Sequence, residues 1–412
     1  NASHVWFVSD RKAECFPLPK RQVIEALARR FYEQLTAPNR NGILNKEIGE
    51  GNPQSAADRA INRSARELSA MILGPLMQDI GGDSKRLLIV PDGLLNYVPF
   101  GALPVAEGDA KSVPLIVRHE IVTAPSASVV AFLQHKTISP APPRGRSVLI
   151  FADPVFDRND VRVHRAMTVV LKVAPGESQP DVRDTPDAQP ENSSEELTRS
   201  ISDLSEMGGG KKELPRLLYS REEAAGILSV SPPGLARAAL DFKASRAEVL
   251  GSHLADYRVL HFATHALVDD RHPELSGLVL SLVNSEGKAQ NGFLNLQEIY
   301  NLNLQADLVV LSACETALGQ DAGGEGLIGL TRGFFHAGAD LVISSLWNVS
   351  DVATAELMRR FYRLMEIEGL DPVAALRRAQ LEMMNQNRWN APYFWAAFQA
   401  SGASHPPSGV VR

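Results

Sequence analysis

Residues 307–319, which read DLVVLSACETALG, constrain the fold of this chain more than any other stretch. Four consecutive apolar residues precede a small Ser-Ala pair, and the run is too brief for a helix. Its valine content and polar boundaries predict a strand that is buried on both faces. Cys314, one of two cysteines in 412 residues, follows at the carboxyl end of this strand. Ligands gather at that end of the strands in open parallel sheets, so Cys314 is the first candidate functional residue.

A second apolar run, residues 257–262, leads in the same way to His265. If the two strands are parallel neighbours, their ends form a thiol–imidazole pair, and a neutral histidine is a base that can generate a reactive thiolate. The backbone N–H groups of Ala266 and Cys314 are then the candidate donors for an oxyanion. The alternative is that Cys314 is a buried small hydrophobic residue without a catalytic role.

The rest of the chain alternates short apolar runs with amphipathic segments, which is the pattern of an α/β fold. Strands are predicted at residues 5–8, 87–90, 115–122, 147–152 and 341–346. Helices are predicted at 21–35, 55–78, 126–134, from about 221, 244–254, along the stretch that ends at Gly338, 351–365 and 371–384. Ser126 and Ser350 are the expected N-caps of two of these helices.

Composition excludes several classes of function. Hydrophobic residues make up 44% and charged residues 22% of the chain, as in an ordinary globular protein. A net charge of −6 without a dense basic cluster argues against nucleic acid as a partner. No apolar run approaches the roughly 18 residues that span a bilayer, so no membrane partner is expected. Two distant cysteines suit a reducing compartment, and we predict a cytoplasmic location. The chain does not begin with Met and is interpreted as a piece of a longer protein.

Residues 174–212 break the alternation. This segment is rich in Pro, Glu, Asp and Ser, and no aromatic residue occurs between Phe156 and Tyr219. Such a composition buries too little apolar surface to offset its ordering entropy. We therefore predict a mobile insertion within the second domain.

Two motifs point to metal or phosphate but are better explained otherwise. His261 and His265 stand four apart, a zinc-binding spacing on a helix, yet on a strand this spacing separates them by about 13 Å. We interpret His261 as a supporting residue of its strand. Residues 323–326 are glycine-rich, but no Gly-Lys-Ser/Thr follows them as in a phosphate loop. No metal and no cofactor are predicted.

Several longer stretches resemble one family, the CHAT domain, a caspase- and separase-like module of clan CD cysteine peptidases often found downstream of tetratricopeptide repeats. The matching stretches are LLIVPDGLLNYVPFGAL, APSASVV, FADPVF, REEAAGI, YRVLHFATHA, SGLVLS, LNLQEIYNLNLQADLVVLSACETALG, GGEGLIGLTRGFFHAGAD, SLWNVSDVATAELM and YFWAAFQASG. The resemblance implies a caspase-like three-layer α/β/α sandwich with a mostly parallel sheet over residues 145–412. It implies a separase-like pseudo-protease half over residues 1–144.

The resemblance also implies that His265 is the general base and Cys314 the nucleophile of a cysteine endopeptidase that cuts a protein or peptide substrate. Their separation of 49 residues (314 − 265) is close to that of caspases. The family usually has Gly after the catalytic His, whereas this chain has Ala266. An alanine at a position that needs positive φ would distort the oxyanion site. The alternative is therefore a weak or inactive module that serves as a regulated interaction platform.

Residues that follow the ends of strands are expected to determine substrate specificity. In separase-like enzymes an acid after the tryptophan helps to hold a basic residue before the cut bond, which makes Trp347 and Asp351 substrate-binding candidates. Asp153, in the FADPVF stretch, is the third. The competing interpretation is that Asp351 supports the dipole of the helix that it begins. A fused or associated repeat or sensor domain is the expected partner.

Overall fold

The computed structural model describes residues 2–40, 56–80, 86–107, 111–136, 147–164, 214–269, 272–312, 315–316 and 325–402. Contacts divide the chain into two compact units. The first contains Asn1–Pro143, Ala322–Gly324 and Asp340–Arg412, and the second contains Arg144–Asp321 and Glu325–Ala339. Residues 340–412 thus group with the first unit, and the functional division at residue 144 stays a prediction. The predicted insertion at 174–212 and Cys314 lie outside the described residues.

Elements are numbered in chain order. The strands of the first unit are β1 (Ser3–Val8), β2 (Ala13–Leu18), β3 (Arg86–Ile89), β4 (Pro104–Glu107), β5 (Lys111–Pro114), β6 (Glu120–Thr123), β15 (Leu341–Ser345) and β16 (Phe398–Gly402). Its helices are α1 (Arg21–Arg40), α2 (Ala56–Ile72), α3 (Met77–Ile80), α4 (Ala127–Lys136), α9 (Asp351–Glu366), α10 (Pro372–Met384) and α11 (Pro392–Trp395).

The strands of the second unit are β7 (Val148–Ala152), β8 (Ala236–Leu240), β9 (Val259–Ala263), β10 (His265–Val268), β11 (Gly277–Val279), β12 (Phe293–Asn295), β13 (Leu308–Leu311) and β14 (Glu315–Thr316). Its helices are α5 (Leu218–Val230), α6 (Arg246–Gly251), α7 (Leu296–Tyr300) and α8 (Glu325–Ala337).

The second unit is built on a parallel sheet of order β13-β9-β7-β8. Every residue of β7, β9 and β13 is buried, as their apolar runs, interrupted only by His261 in β9, predict for strands that are covered on both faces. Phe151 of β7 stacks on Phe262 of β9, with ring centroids 5.1 Å apart. A smaller sheet of order β12-β11-β10-β14 begins where β9 ends, because β10 starts at His265.

In the first unit β3, β6 and β16 are parallel, and β15 runs antiparallel to β16. The helix pairs α1–α2 and α9–α10 each pack against one another. The N-terminus of α10 is fixed by Asp371, whose carboxylate accepts from the N–H groups of Val373 and Ala374, and Pro372 fills the first turn. Two separate hairpins, β1–β2 and β4–β5, are antiparallel.

The alternation of strands and helices and the mostly parallel sheet confirm the α/β class that the sequence predicts. Two local predictions are wrong. The strand predicted at 115–122 is a 3-10 turn over Leu115–Val117 followed by β6, because Arg118 N–H donates to the Leu115 carbonyl and closes the turn. The helix predicted at 55–78 stops at Ile72 and continues as the 3-10 turn Gly74–Leu76, because Pro75 cannot donate a helical hydrogen bond.

Three predicted helix ends have contrasting outcomes. Gly338 ends α8 with φ of +121°, and a Cβ there would lie 2.1 Å from the Leu304 carbonyl oxygen, so only glycine fits. Ser350 precedes α9 as predicted, but its hydroxyl makes no capping hydrogen bond. Ser126, the other predicted cap, does accept the N–H of Val129 at 3.2 Å.

Candidate active site

Strand register brings the segments around the two candidate catalytic residues side by side. β9 and β13 pair in parallel from Val259 opposite Leu308 to Phe262 opposite Leu311, and the Ser312 N–H donates to the Phe262 carbonyl at 3.0 Å. Past these ends β14 pairs in parallel with β10, which places Glu315 opposite Leu267. Described residues on either side of position 314 are therefore paired with described residues on either side of His265.

His265 is the first residue of β10 and is 5% exposed. Its Nε2 lies 2.7 Å from the carbonyl oxygen of Pro215, and the Phe156 ring packs on the imidazole at a centroid distance of 5.1 Å. A carbonyl oxygen can only accept, so Nε2 carries the proton in this contact. In the neutral ring Nδ1 is then the basic nitrogen, which is the form that a general base requires.

Ala266 follows in β10 and is fully buried, opposite Leu278 of β11. Among the described residues other than glycine, those with positive φ are Asp153 and Asp241. Ala266 is therefore in an extended strand conformation, where alanine and glycine are both unstrained. The departure from the family's usual glycine introduces no backbone strain here. The role of the Ala266 N–H as an oxyanion donor stays a prediction.

Asp153 stands directly after β7 and is completely buried. Its φ of +51° is unusual for a residue other than glycine and costs about 1–3 kcal/mol, which the surrounding contacts must offset. Arg216 binds both carboxylate oxygens, with Nε and Nη2 each at 2.8 Å. Arg221 Nε lies 2.7 Å from Oδ2, and Arg162 Nη1 lies 2.9 Å from Oδ1. Both oxygens of Asp153 are thus already engaged by arginines.

Two further carboxylates complete this cluster of charges. Arg162 pairs with Asp160 at 2.7 Å and with Asp241 at 2.8 Å, and Asp241 also binds Arg221. Burial opposes ionisation of Asp241, but hydrogen bonds from the two arginines outweigh it and hold its pKa below the ordinary 3.8. The hydrogen bond from Arg162 likewise lowers the pKa of Asp160. Three arginines and three aspartates therefore balance one another in a partly buried network.

Trp347, in the first unit, is 1% exposed and lies just after β15. Its indole N–H donates to the Tyr393 carbonyl at 3.1 Å, and its ring meets Tyr32 edge-on at 6.1 Å between centroids. The Tyr393 hydroxyl donates to the Asn348 carbonyl at 2.9 Å, and burial raises the pKa of this tyrosine. Asp351 is half-buried in the first turn of α9. The backbone around Trp347 is therefore held by aromatic packing and neutral hydrogen bonds.

Comparison with known protein families identifies the family of this chain. A model of the CHAT domain matches residues 62–403. The chain belongs to the CHAT domain family. The recognition of this family from the sequence is thus confirmed.

Tetratricopeptide repeat protein 28 of Mus musculus is 31% identical to this CHAT domain over 121 residues, which cover 29% of this chain and 5% of that protein. The Homo sapiens protein of the same name is 30% identical over 125 residues, with 30% and 5% covered. The chain therefore spans only about 5% of the length of these relatives.

Solved structures with a similar fold include peptidases. The Saccharomyces cerevisiae separase–securin complex aligns with a TM-score of 0.40 at 11% identity, covering 93% of this chain and 23% of that chain. The Arg-specific cysteine proteinase gingipain R aligns with a TM-score of 0.42 at 9% identity, covering 94% and 76%. The complex of Porphyromonas gingivalis RgpB pro- and mature domains gives 0.41 at 10%, covering 96% and 78%. At these scores the likeness says nothing about chemistry or specificity.

His261 of the CHAT domain is fully buried in β9, and its Nε2 lies 2.8 Å from Oε1 of Glu223 on α5. It is thus part of the sheet interior, as its supporting role predicts. Within the described ranges, no three His, Cys, Asp or Glu side chains are grouped so as to hold a metal ion. No described helix is long and apolar enough to cross a membrane.

The sequence did not indicate the roles of Pro215, Arg216 or Glu223 in this CHAT domain. Glu223 had only a weak signal, because a carboxylate that shares a helix face with Ala224 and Ile227 needs a buried partner. Pro215 and Arg216 had none, since a carbonyl oxygen and a single arginine carry no periodicity. Both follow the predicted insertion at 174–212 closely in sequence, and the fold alone brings them to His265 and Asp153.

Proposed function

We propose that this CHAT domain is a cysteine endopeptidase in which Cys314 is the nucleophile and His265 the general base. The observation that carries the proposal is the pairing of Leu311 with Phe262 and of Glu315 with Leu267. Chain connectivity limits how far position 314 can lie from Glu315, since consecutive Cα atoms are about 3.8 Å apart. Membership in the CHAT family supports a peptidase or a module derived from one.

The proposed reaction begins when Nδ1 of His265 takes the proton of the Cys314 thiol, because Nε2 already donates to the Pro215 carbonyl. The thiolate attacks the carbonyl carbon of the cut bond, and the N–H groups of Ala266 and Cys314 stabilise the oxyanion. The intermediate collapses, and the imidazolium returns its proton to the leaving amine. His265 then removes a proton from water, which hydrolyses the thioester and releases the free enzyme.

For specificity we propose that Asp351 and Trp347 bind a basic residue before the cut bond. A half-buried carboxylate such as that of Asp351 favours Arg through a two-pronged charge-assisted pair, and Lys less completely. A substrate cation at Asp153 would have to displace Arg216 or Arg221. We further propose that the substrate is a protein, that repeat or sensor domains accompany this chain, and that it works in the reducing cytoplasm, where a free thiol persists.

A peptide ketone probe with Arg next to its electrophile tests the dyad. The wild type should be labelled at Cys314, and Cys314→Ala should remove that label. His265→Ala should slow labelling by about 10²- to 10⁴-fold, the usual contribution of a general base. Cys15 is an exposed free thiol and serves as an internal control, because its labelling should be the same in all variants.

The outcome that contradicts the proposal is equal labelling of Cys314 with and without His265. Such a result, together with an intact fold, would favour the alternative of an interaction platform without peptidase activity.

A further inference from the structure

The residue whose carbonyl accepts a hydrogen bond from His265 is followed in the chain by one of the arginines that bind Asp153. The Pro215 carbonyl accepts from Nε2 of His265 at 2.7 Å. The Arg216 guanidinium forms two parallel hydrogen bonds to the Asp153 carboxylate, each 2.8 Å long. A two-pronged Arg–carboxylate pair fixes orientation as well as distance, so it restricts the peptide unit that joins these two residues.

Asp153 is itself held from several sides. Its backbone N–H donates to the Ser220 hydroxyl at 3.1 Å, and its carbonyl accepts from Arg162 Nη1 at 2.6 Å. Its side chain is fully buried, and its positive φ fixes the direction in which the chain leaves β7. That chain reaches Phe156 three residues later, and the Phe156 ring packs on the imidazole of His265. The loop of residues 153–156 thus supports His265 in two ways. Phe156 packs on the imidazole, and Asp153 binds Arg216, whose neighbour Pro215 supplies the carbonyl.

We propose that Asp153 is a positioning residue, which holds Arg216 so that the Pro215 carbonyl stays on Nε2 of His265. This inference rests on the proposed dyad. Without the carbonyl the neutral ring can move its proton to Nδ1, and in that form Nδ1 cannot accept the thiol proton. The carbonyl also binds the imidazolium that forms during the reaction. Asp153 therefore acts on the base through Arg216 and touches neither substrate nor nucleophile.

Two substitutions that change the net charge in opposite directions distinguish positioning by Asp153 from an electrostatic effect of its charge on Cys314. Asp153→Asn and Arg216→Gln both remove the two-pronged pair, but the first leaves an extra positive charge and the second an extra negative charge. The other charges of the cluster, on Asp160, Arg162, Arg221 and Asp241, are the same in both variants. If Asp153 acts by positioning, both variants should lose activity. If its charge acts on the Cys314 thiolate, the two variants should change activity in opposite directions.

We expect both variants to lose about 10- to 100-fold in kcat with KM within about twofold, which is typical when a supporting hydrogen bond behind a functional histidine is removed. Arg216→Lys keeps the charge but has a single donor group, and it should retain an intermediate rate. Arg246→Gln is the matched control, because it breaks the partly buried pair with Glu298 in the same unit and should keep the wild-type rate. Melting curves of all variants show which of them fold.

Two peptide substrates, with Arg or the neutral isostere citrulline before the cut bond, exclude direct recognition by Asp153. Positioning predicts equal losses on both peptides. If Asp153→Asn loses activity on the Arg peptide alone, Asp153 binds substrate and the inference is wrong.

The pH dependence of Cys314 alkylation by iodoacetamide, with Cys15 as the reference thiol, needs no turnover. If His265→Ala leaves this profile unchanged, the dyad fails and the inference fails with it. If His265→Ala changes the profile while Asp153→Asn and Arg216→Gln both match the wild type, only the positioning role is overturned.

Discussion

The segments that follow two buried strands, β15 and β7, are held in place by opposite kinds of interaction. After β15 it is held by neutral contacts, since the Trp347 indole, Tyr32 and Tyr393 pack together and donate to backbone carbonyls. After β7 it is held by charges, since Asp153 binds three arginines. Aromatic packing is strong but tolerates small shifts, whereas a two-pronged ion pair fixes one geometry. The charged arrangement occurs in the segment that, as we propose, positions the Pro215 carbonyl on His265.

The largest effect is expected from a substitution in the aromatic cluster that follows β15. Trp347→Ala removes a side chain that is 1% exposed and leaves a cavity, so it should lower the free energy of unfolding by about 3–5 kcal/mol. Trp347→Phe keeps most of the volume and loses chiefly the hydrogen bond to the Tyr393 carbonyl, so its cost should be smaller. Urea unfolding measures both. Equal stability of Trp347→Ala and the wild type would show that packing does not hold this strand end.

A smaller effect is expected four residues further on, at Asp351. Asp351→Ala should reduce kcat/KM for an Arg peptide by several-fold to a few hundred-fold, or about 1–3 kcal/mol, and should hardly affect the citrulline peptide. If Asp351 only supports the dipole of α9, the same variant should lose about 0.3–1 kcal/mol of stability and keep its specificity. Kinetics on both peptides and a melting curve of each protein decide between these roles.

Much of the fold could be predicted from the sequence because buried strands have a simple signature. The apolar runs that became β7, β9, β13 and β15 were found to within about two residues of their ends. Strands with mixed composition were not found. β8 reads ARAAL and β16 reads FQASG, so neither has the β-branched content that marks a strand, and both are defined by pairing with neighbours distant in sequence.

The candidate site likewise contains residues that could be predicted from the sequence and residues that could not. His265 could be predicted because it directly follows an apolar run, and the register of the neighbouring strands is consistent with its proposed pairing with Cys314. The pairing of Asp153 with Arg216 could not be predicted, because Arg216 lies 63 residues away and several other arginines were equally available. Charge pairing over such a distance depends on the tertiary fold and leaves no periodic pattern in the sequence.

The last and smallest effect concerns acid. The pKa values of Asp241 and Asp160 lie below the ordinary 3.8 in the folded protein because of their arginine partners. Groups with a lowered folded pKa bind protons more tightly when the chain unfolds, so they stabilise the fold above the ordinary pKa. This contribution is lost as pH falls below 3.8 through the folded values.

Asp241→Asn should therefore be less stable than the wild type near neutral pH, and the difference should shrink as pH falls below 3.8. Trp347→Phe is the matched control from the other strand end, because its contacts carry no charge and its deficit should be the same at every pH. Urea midpoints between pH 7 and acid for the three proteins test the contrast. If the deficit of Asp241→Asn is also constant with pH, the charges around Asp153 contribute to stability through packing rather than through their ionisation.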